Sequence, residues 1–412
     1  MKIVDVVCAP GLGGYYHWDL AALKHNVTYD GFDVIGEPAT PGFERIIEPS
    51  EIVSIMLCLD NGAVAFGDCV DVILAGAAGR DSLFRADEHL TLLNGALRDT
   101  LIGCEVDAFR PQAQALDELE FDSQPLHTAI RYGLSQALLH ATSLAHAETM
   151  AQVVSREYGC AIATAPVPIL SMCRTIDEVL VDKMILKRAD ILPHADFIKT
   201  PEDVGDKGEK LHRYVSWLTE RVTSLGGSDY RPTLHVDVYG TLGEAFDMDL
   251  SAVGQFLREL EQAAGPLALM VECPIVAPSQ AEQFEGLATL REILRDQGTR
   301  VSIVADEWVN TLDDIKRCAD ARAADVVQVK TPDLGGLQHS VDAILYLQQS
   351  GVGAYLGGSA NETDQSARIC CHVALACQAD MLIAKPGQGV DEALMIERNE
   401  MNRTLALIKA GH

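Results

Sequence analysis

Hydrophobic and polar positions divide the chain into two unlike parts. In the first, residues 1–10 alternate like a strand, and the apolar, β-branched runs 51–59 and 63–73 flank Asp60-Asn61-Gly62. That tripeptide favours the positive φ angles of a tight hairpin turn, so the two runs are expected to pair. Two stretches of helical periodicity follow, about 82–102 before Gly103 and about 126–157 before Gly159. Strands followed by helices predict an α+β unit over residues 1–160.

The second part keeps a steady beat. Apolar runs at 165–171, 192–199, 232–238, 267–273, 300–305, 324–329, 352–357 and 381–385 alternate with segments of helical period, the last leading into 391–409. Eight such units match an α/β fold of the (β/α)₈ TIM-barrel type, which takes about 31 residues per unit. The expected architecture is therefore an N-terminal α+β capping domain, residues 1–160, on a (β/α)₈ barrel, residues 161–412.

Charge and composition narrow the partners. With 60 acidic and 32 basic residues the net charge is −28, a field that would repel nucleic acid. No stretch approaches the roughly 20 apolar residues needed to cross a bilayer, so no membrane partner is expected. Asp5 interrupts the N-terminal apolar run, which a signal peptide would avoid, and the eleven cysteines show neither disulfide nor zinc spacing. These features predict a cytoplasmic protein with reduced thiols. The acidic surface also suits a salty cytoplasm.

In a barrel of this type, polar residues that close strands face the catalytic mouth. Asp237, Glu272 and Asp306 each end an apolar run, at spacings of 35 and 34 residues, close to one unit apiece. Three ionised carboxylates about 4 Å apart would cost on the order of 12 kcal/mol at an effective dielectric of ~20. Such a cluster must take up protons or hold a cation, and its oxygen ligands favour Mg²⁺, with Mn²⁺ or Ca²⁺ behind it. One strand further on, period-2 alternation puts Gln328 and Lys330 on one face and Val327 and Val329 on the other. A buried Lys beside a divalent cation can lose its proton near neutral pH and serve as a base. A cation and an amine at one mouth suit proton abstraction next to a carboxylate.

The chain resembles the methylaspartate ammonia-lyase family of the enolase superfamily along nearly its whole length. The likeness rests on Met-Lys-Ile-Val-Asp-Val at the start, Gly-Asp-Cys at 67–69, Ala-Gly-Arg-Asp at 78–81 and Leu-His-Thr-Ala-Ile-Arg-Tyr-Gly at 126–133. It continues through His-Val-Asp-Val-Tyr-Gly-Thr at 235–241, Lys-Thr-Pro-Asp-Leu-Gly-Gly at 330–336, Asn-Glu-Thr-Asp at 361–364 and Ala-Lys-Pro-Gly at 384–387.

The resemblance implies a homodimer, Mg²⁺ on Asp237, Glu272 and Asp306, and elimination of ammonia from threo-3-methylaspartate to give mesaconate. It further implies that Lys330 takes the proton from one face and that His194 serves the other face and helps bind a carboxylate. Gln328 is expected to touch the substrate carboxylate. By itself His194, beside Pro193, reads as a core histidine.

The departures concern the substrate pocket. Ile73 and Met172 stand where the family carries Gln, and Ser359-Ala360 where it carries Thr-Cys. These positions help hold the substrate, an amino dicarboxylate, so apolar replacements predict weaker binding of methylaspartate. Arg174 is a candidate replacement anchor for a carboxylate. Two other outcomes stay open: dehydration or racemisation of a different carboxylic acid by the same machinery, and a non-enzymatic binding role.

Overall fold

The computed structural model describes residues 1–23, 27–76, 80–174, 177–197 and 200–412. Ala78 and Gly79 of the 78–81 motif, and the end of the run 192–199, lie outside the described residues. The N-terminal part carries strands β1 (Ile3–Trp18), β2 (Thr28–Asp30), β3 (Asp33–Ile35), β4 (Ile47–Leu59) and β5 (Val64–Cys69). β1, β4 and β5 form an antiparallel sheet, with β4 and β5 joined by the 60–63 turn, where Gly62 has φ +85°. Helix Thr128–His146 lies so close on β5 that a Cβ at Gly67 would stand 2.1 Å from the Gly133 carbonyl oxygen. Two short hairpin strands, β6 (Glu120–Phe121) and β7 (Gln124–Pro125), complete this part.

Three expectations need correction here. The second hairpin strand ends at Cys69, not near 73, because Asp71 turns the chain by accepting from Val72 N at 2.7 Å and Phe84 N at 3.1 Å. The helix expected over 82–102 begins at Ala86 and widens to a π segment at 93–97, where Gly95 leaves helical geometry and Asn94 bonds to Cys8 of β1. The helix expected over 126–157 is two, Thr128–His146 and Met150–Tyr158, broken at left-handed Ala147 and restarted by the Thr149/Gln152 capping box. Helix Phe109–Asp117 gave no signal strong enough to predict it.

The remaining strands, β8 (Ile169–Met172), β9 (Ile191–Asp196), β10 (Thr233–Asp237), β11 (Leu269–Glu272), β12 (Ser302–Ala305), β13 (Val326–Val329), β14 (Gly353–Leu356) and β15 (Met381–Ile383), are all parallel. They close in the order β10-β11-β12-β13-β14-β15-β8-β9, so the architecture is the expected eight-stranded barrel. Leu170, Ile191, Val304, Val326, Tyr355, Met381 and Ile383 plug its interior, while outward residues such as Val327 and Val329 join the large core beneath the helices. Burial on both faces explains the near-continuous apolar runs.

Candidate active site

The barrel mouth opens into a cavity of about 170 Å³ between the strand ends and the N-terminal part. Its lining includes every position singled out from the sequence: Ile73, Met172, Arg174, His194, Asp237, Glu272, Asp306, Gln328, Lys330, Ser359 and Ala360. In-register pairing of Asp237 with Glu272 across β10 and β11 brings two of the carboxylates side by side.

His194 reaches the mouth through an irregularity in β9. Register shifts flank Pro193 in the pairings with both β8 and β10. Ile191 belongs to the barrel interior and Leu192 and Ala195 to the outer core, so the shift at Pro193 restores an inward aim at His194.

The three carboxylates share the cavity. Glu272 accepts from Gln328 Nε2 at 2.9 Å, and its Oε2 lies 3.3 Å from His194 Nε2 and 3.1 Å from His235 Nε2. Asp306 holds Lys330 Nζ at 3.0 Å from both carboxylate oxygens, and Asp237 Oδ1 accepts from Tyr239 N at 3.1 Å. Among the described residues, the metal-competent group whose ligand atoms lie within 4.8 Å of one another is His194, His235 and Glu272. Asp237, Glu272 and Asp306 thus line one cavity, each beside its own donor: Tyr239 N, Gln328 Nε2 and Lys330 Nζ.

Electrostatics follow these pairings. Burial opposes the charge on His194, but Glu272 and Asp237 outweigh it and lift the imidazole to about 9. His235, fully buried and beside that cation, is pushed down despite its contact with Glu272. Burial and the neighbouring Glu272 drive the Asp237 carboxyl far above the usual range, while the two histidines hold Glu272 below it against its own burial. Burial likewise disfavours the Lys330 ammonium, yet Asp306 raises it. The neutral amine expected from the sequence is thus not the favoured state while Asp306 remains its partner.

Four residues escaped the sequence reading. His235 shares the inward face of β10 with Asp237, a period-2 signal that could have revealed it. Glu307 is buried beside Asp306, which with burial pushes it up to about 8. Arg80 enters from the N-terminal part, and Tyr239 follows β10. The roof is apolar, with Tyr15, Trp18, Leu20 and Leu23 alongside Ile73 and Met172. Arg174 stands at the rim with Nε 3.3 Å from Asp177.

Comparison with known proteins identifies the family. The family model "Methylaspartate ammonia-lyase N-terminus" matches residues 1–159, and "Methylaspartate ammonia-lyase C-terminus" matches residues 161–410. The chain is 48% identical over 412 residues to Methylaspartate ammonia-lyase 2 of Carboxydothermus hydrogenoformans, covering 99% of each chain. The solved Mg complex of β-methylaspartase from Clostridium tetanomorphum superposes with a TM-score of 0.96 at 43% identity, covering 100% of both chains. Methylaspartate ammonia lyase of Citrobacter amalonaticus, solved with (2S,3S)-3-methylaspartic acid, superposes with a TM-score of 0.96 at 46% identity, covering 99% of this chain and 100% of that one. With both halves matched and nearly half of all positions shared, the chain belongs to the methylaspartate ammonia-lyase family of carbon–nitrogen lyases.

Proposed function

We propose that the protein eliminates ammonia from threo-3-methylaspartate, or a close 3-substituted aspartate, to give mesaconate. The observation that carries this reading is the convergence of Lys330, His194 and three strand-end carboxylates on one cavity. The substrate-bound relative supports the choice of an amino dicarboxylate.

A divalent cation fits the residues present. Asp237 is forced towards protonation by burial and by two neighbouring carboxylates, a strain that a cation relieves. Glu272 Oε2 is buried and makes no hydrogen bond of acceptable geometry, despite its two imidazole neighbours. Asp237, Glu272 and Asp306 would hold the ion, Mg²⁺ first and Mn²⁺ as the alternative. When bound, it supplies Lewis-acid stabilisation of negative charge developing on the substrate carboxylate.

Lys330, at the end of β13, is an ammonium while Asp306 is its partner. With Asp306 engaged as a ligand instead, its amine can be neutral and takes the proton from the carbon beside that carboxylate, and ammonia leaves from the adjacent carbon as the double bond forms. His194 approaches from the β9 side and, in its protonated form, attracts a substrate carboxylate. Gln328 fixes Glu272 through its amide N–H and keeps its own Oε1 free of protein partners for the substrate.

A second reading, dehydration or racemisation of another carboxylic acid, draws support from Ile73, Met172 and Ala360, which offer no side-chain hydrogen bond to an amino group. We further propose a homodimer, a cytoplasmic location, a role in amino-acid degradation, and a division into capping domain and barrel near residue 160. No described helix is long and apolar enough to cross a membrane. Following the ultraviolet absorbance of the unsaturated diacid tests the main reading, with methylaspartate, aspartate and larger 3-substituted aspartates, with and without Mg²⁺. Turnover that needs Mg²⁺ and falls by about 10²-fold or more in Lys330→Ala supports it. Absence of turnover on all of these acids overturns it in favour of the second reading.

A further inference from the structure

Two motifs of the sequence meet at a contact that the chemistry above leaves unused. Arg80 Nε donates to both Asp333 oxygens, at 3.0 and 2.9 Å, and its Nη2 donates to Asn310 Oδ1 at 3.1 Å. Both charged side chains are buried, 7% and 4% exposed.

Both barrel partners lie just behind reacting groups. Asp333 sits on the short helix Thr331–Leu334 that Lys330 opens, and its backbone N–H donates to the Lys330 carbonyl at 3.1 Å. Asn310 lies four residues past Asp306 in the loop that leaves β12. Further along the β13 loop, Gly336 N donates to Asp117 at 3.3 Å and Leu337 N to Ser135 Oγ at 2.9 Å, both residues of the N-terminal part. The loop behind the candidate base is thus tied to the cap at several points.

Arg80 itself is anchored. Gly76 N donates to the Asp81 carbonyl at 2.8 Å, and the Asp81 carboxylate accepts from Thr128 N at 2.8 Å at the start of the helix Thr128–His146. The same cap segment brings Ile73 and Leu74 to the cavity wall. A buried ion pair contributes little net stability, but its fixed fork geometry defines the relative placement of what it joins.

We propose that Arg80 is a positioning residue: through Asp333 and Asn310 it seats the cap on the two barrel loops behind Lys330 and Asp306, so that the spacing of the reacting groups is set from the cap. The kinetic side of this proposal rests on the proton-abstraction reading above.

The test uses full-length Arg80→Ala, Asp333→Ala and the double variant, with Arg80→Lys as the conservative change. Displacements of about 1 Å are expected to lower kcat by roughly 30- to 100-fold, with KM for 3-methylaspartate within about threefold. The double variant should be no slower than the slower single one, because both remove one contact. Added guanidinium ion should restore part of the Arg80→Ala rate, which general loosening of the fold would not allow. Amide hydrogen exchange over residues 331–337 should quicken in Arg80→Ala. Unchanged kcat, losses that multiply in the double variant, or parental exchange at 331–337 would each overturn the proposal. Should the parent turn over none of the acids, the lyase reading fails and the exchange measurement alone decides for or against the contact's positioning role.

Discussion

The imidazoles of His194 and His235 stack at 5.0 Å between centroids, 21° from parallel, and both present Nε2 to the same Oε2 of Glu272. One carboxylate oxygen is thereby approached from two adjacent strands, β9 and β10. Only His194 reaches the cavity wall; His235 lies beneath it, fully buried and 6.2 Å from the Tyr355 ring.

His235 is therefore expected to act by orienting Glu272. His235→Asn should raise the Mg²⁺ concentration for half-maximal activity by about 10- to 100-fold, the usual effect of removing a partner of a metal ligand. A metal titration of initial rates checks this, and an unchanged midpoint would reduce His235 to a packing residue.

Cation binding should also appear in stability. Ligand that binds only the folded chain adds about 2.7 kcal/mol at 100 times its Kd, so Mg²⁺ should raise the melting temperature and EDTA should reverse the gain. Asp306→Asn and Asp237→Asn should melt at the same temperature with and without Mg²⁺. Scanning calorimetry decides the point, and a full Mg²⁺ shift in either variant would remove that residue from the ligand set.

Gly67 and Gly62 should respond very differently to alanine. A Cβ at Gly67 would lie 2.1 Å from Gly133 O and 2.5 Å from Ala137 N, both backbone atoms of the helix packed on β5. That overlap should cost about 3 kcal/mol or more. At Gly62 the added Cβ meets nothing within 4 Å, leaving only the penalty of φ +85°, about 1 kcal/mol. Urea unfolding midpoints measure both, and a Gly67→Ala midpoint equal to that of Gly62→Ala would refute the close approach.

The net charge of −28 predicts a salt-dependent fold. Self-repulsion weakens the compact state, and raising salt from 0.01 to 1 M shortens the screening length from about 30 to about 3 Å. The melting temperature should rise along that series with sodium chloride, before any specific Mg²⁺ effect. A flat profile would mean that the acidic residues are balanced locally by pairs such as Arg85 with Glu48 and Arg291 with Asp325.

Much of this was legible in the linear chain. The eight apolar runs, the acids closing three of them and the alternation around Gln328 and Lys330 follow from period and spacing, which are local properties set by backbone geometry and by burial on both faces of a parallel strand. They determined the barrel and which residues face its mouth.

What only the tertiary structure decided depends on partners far away in the chain. Asp71 ends β5 early by reaching Phe84, Asn94 holds Cys8 beside a π turn, and the shift at Pro193 makes His194 face inward. Each carboxylate of the expected metal triad chose its own donor, and Arg80 met Asp333 across 253 residues. Periodicity records which side of an element is buried; it carries no term for the cation or N–H group that folding brings to a side chain from another element.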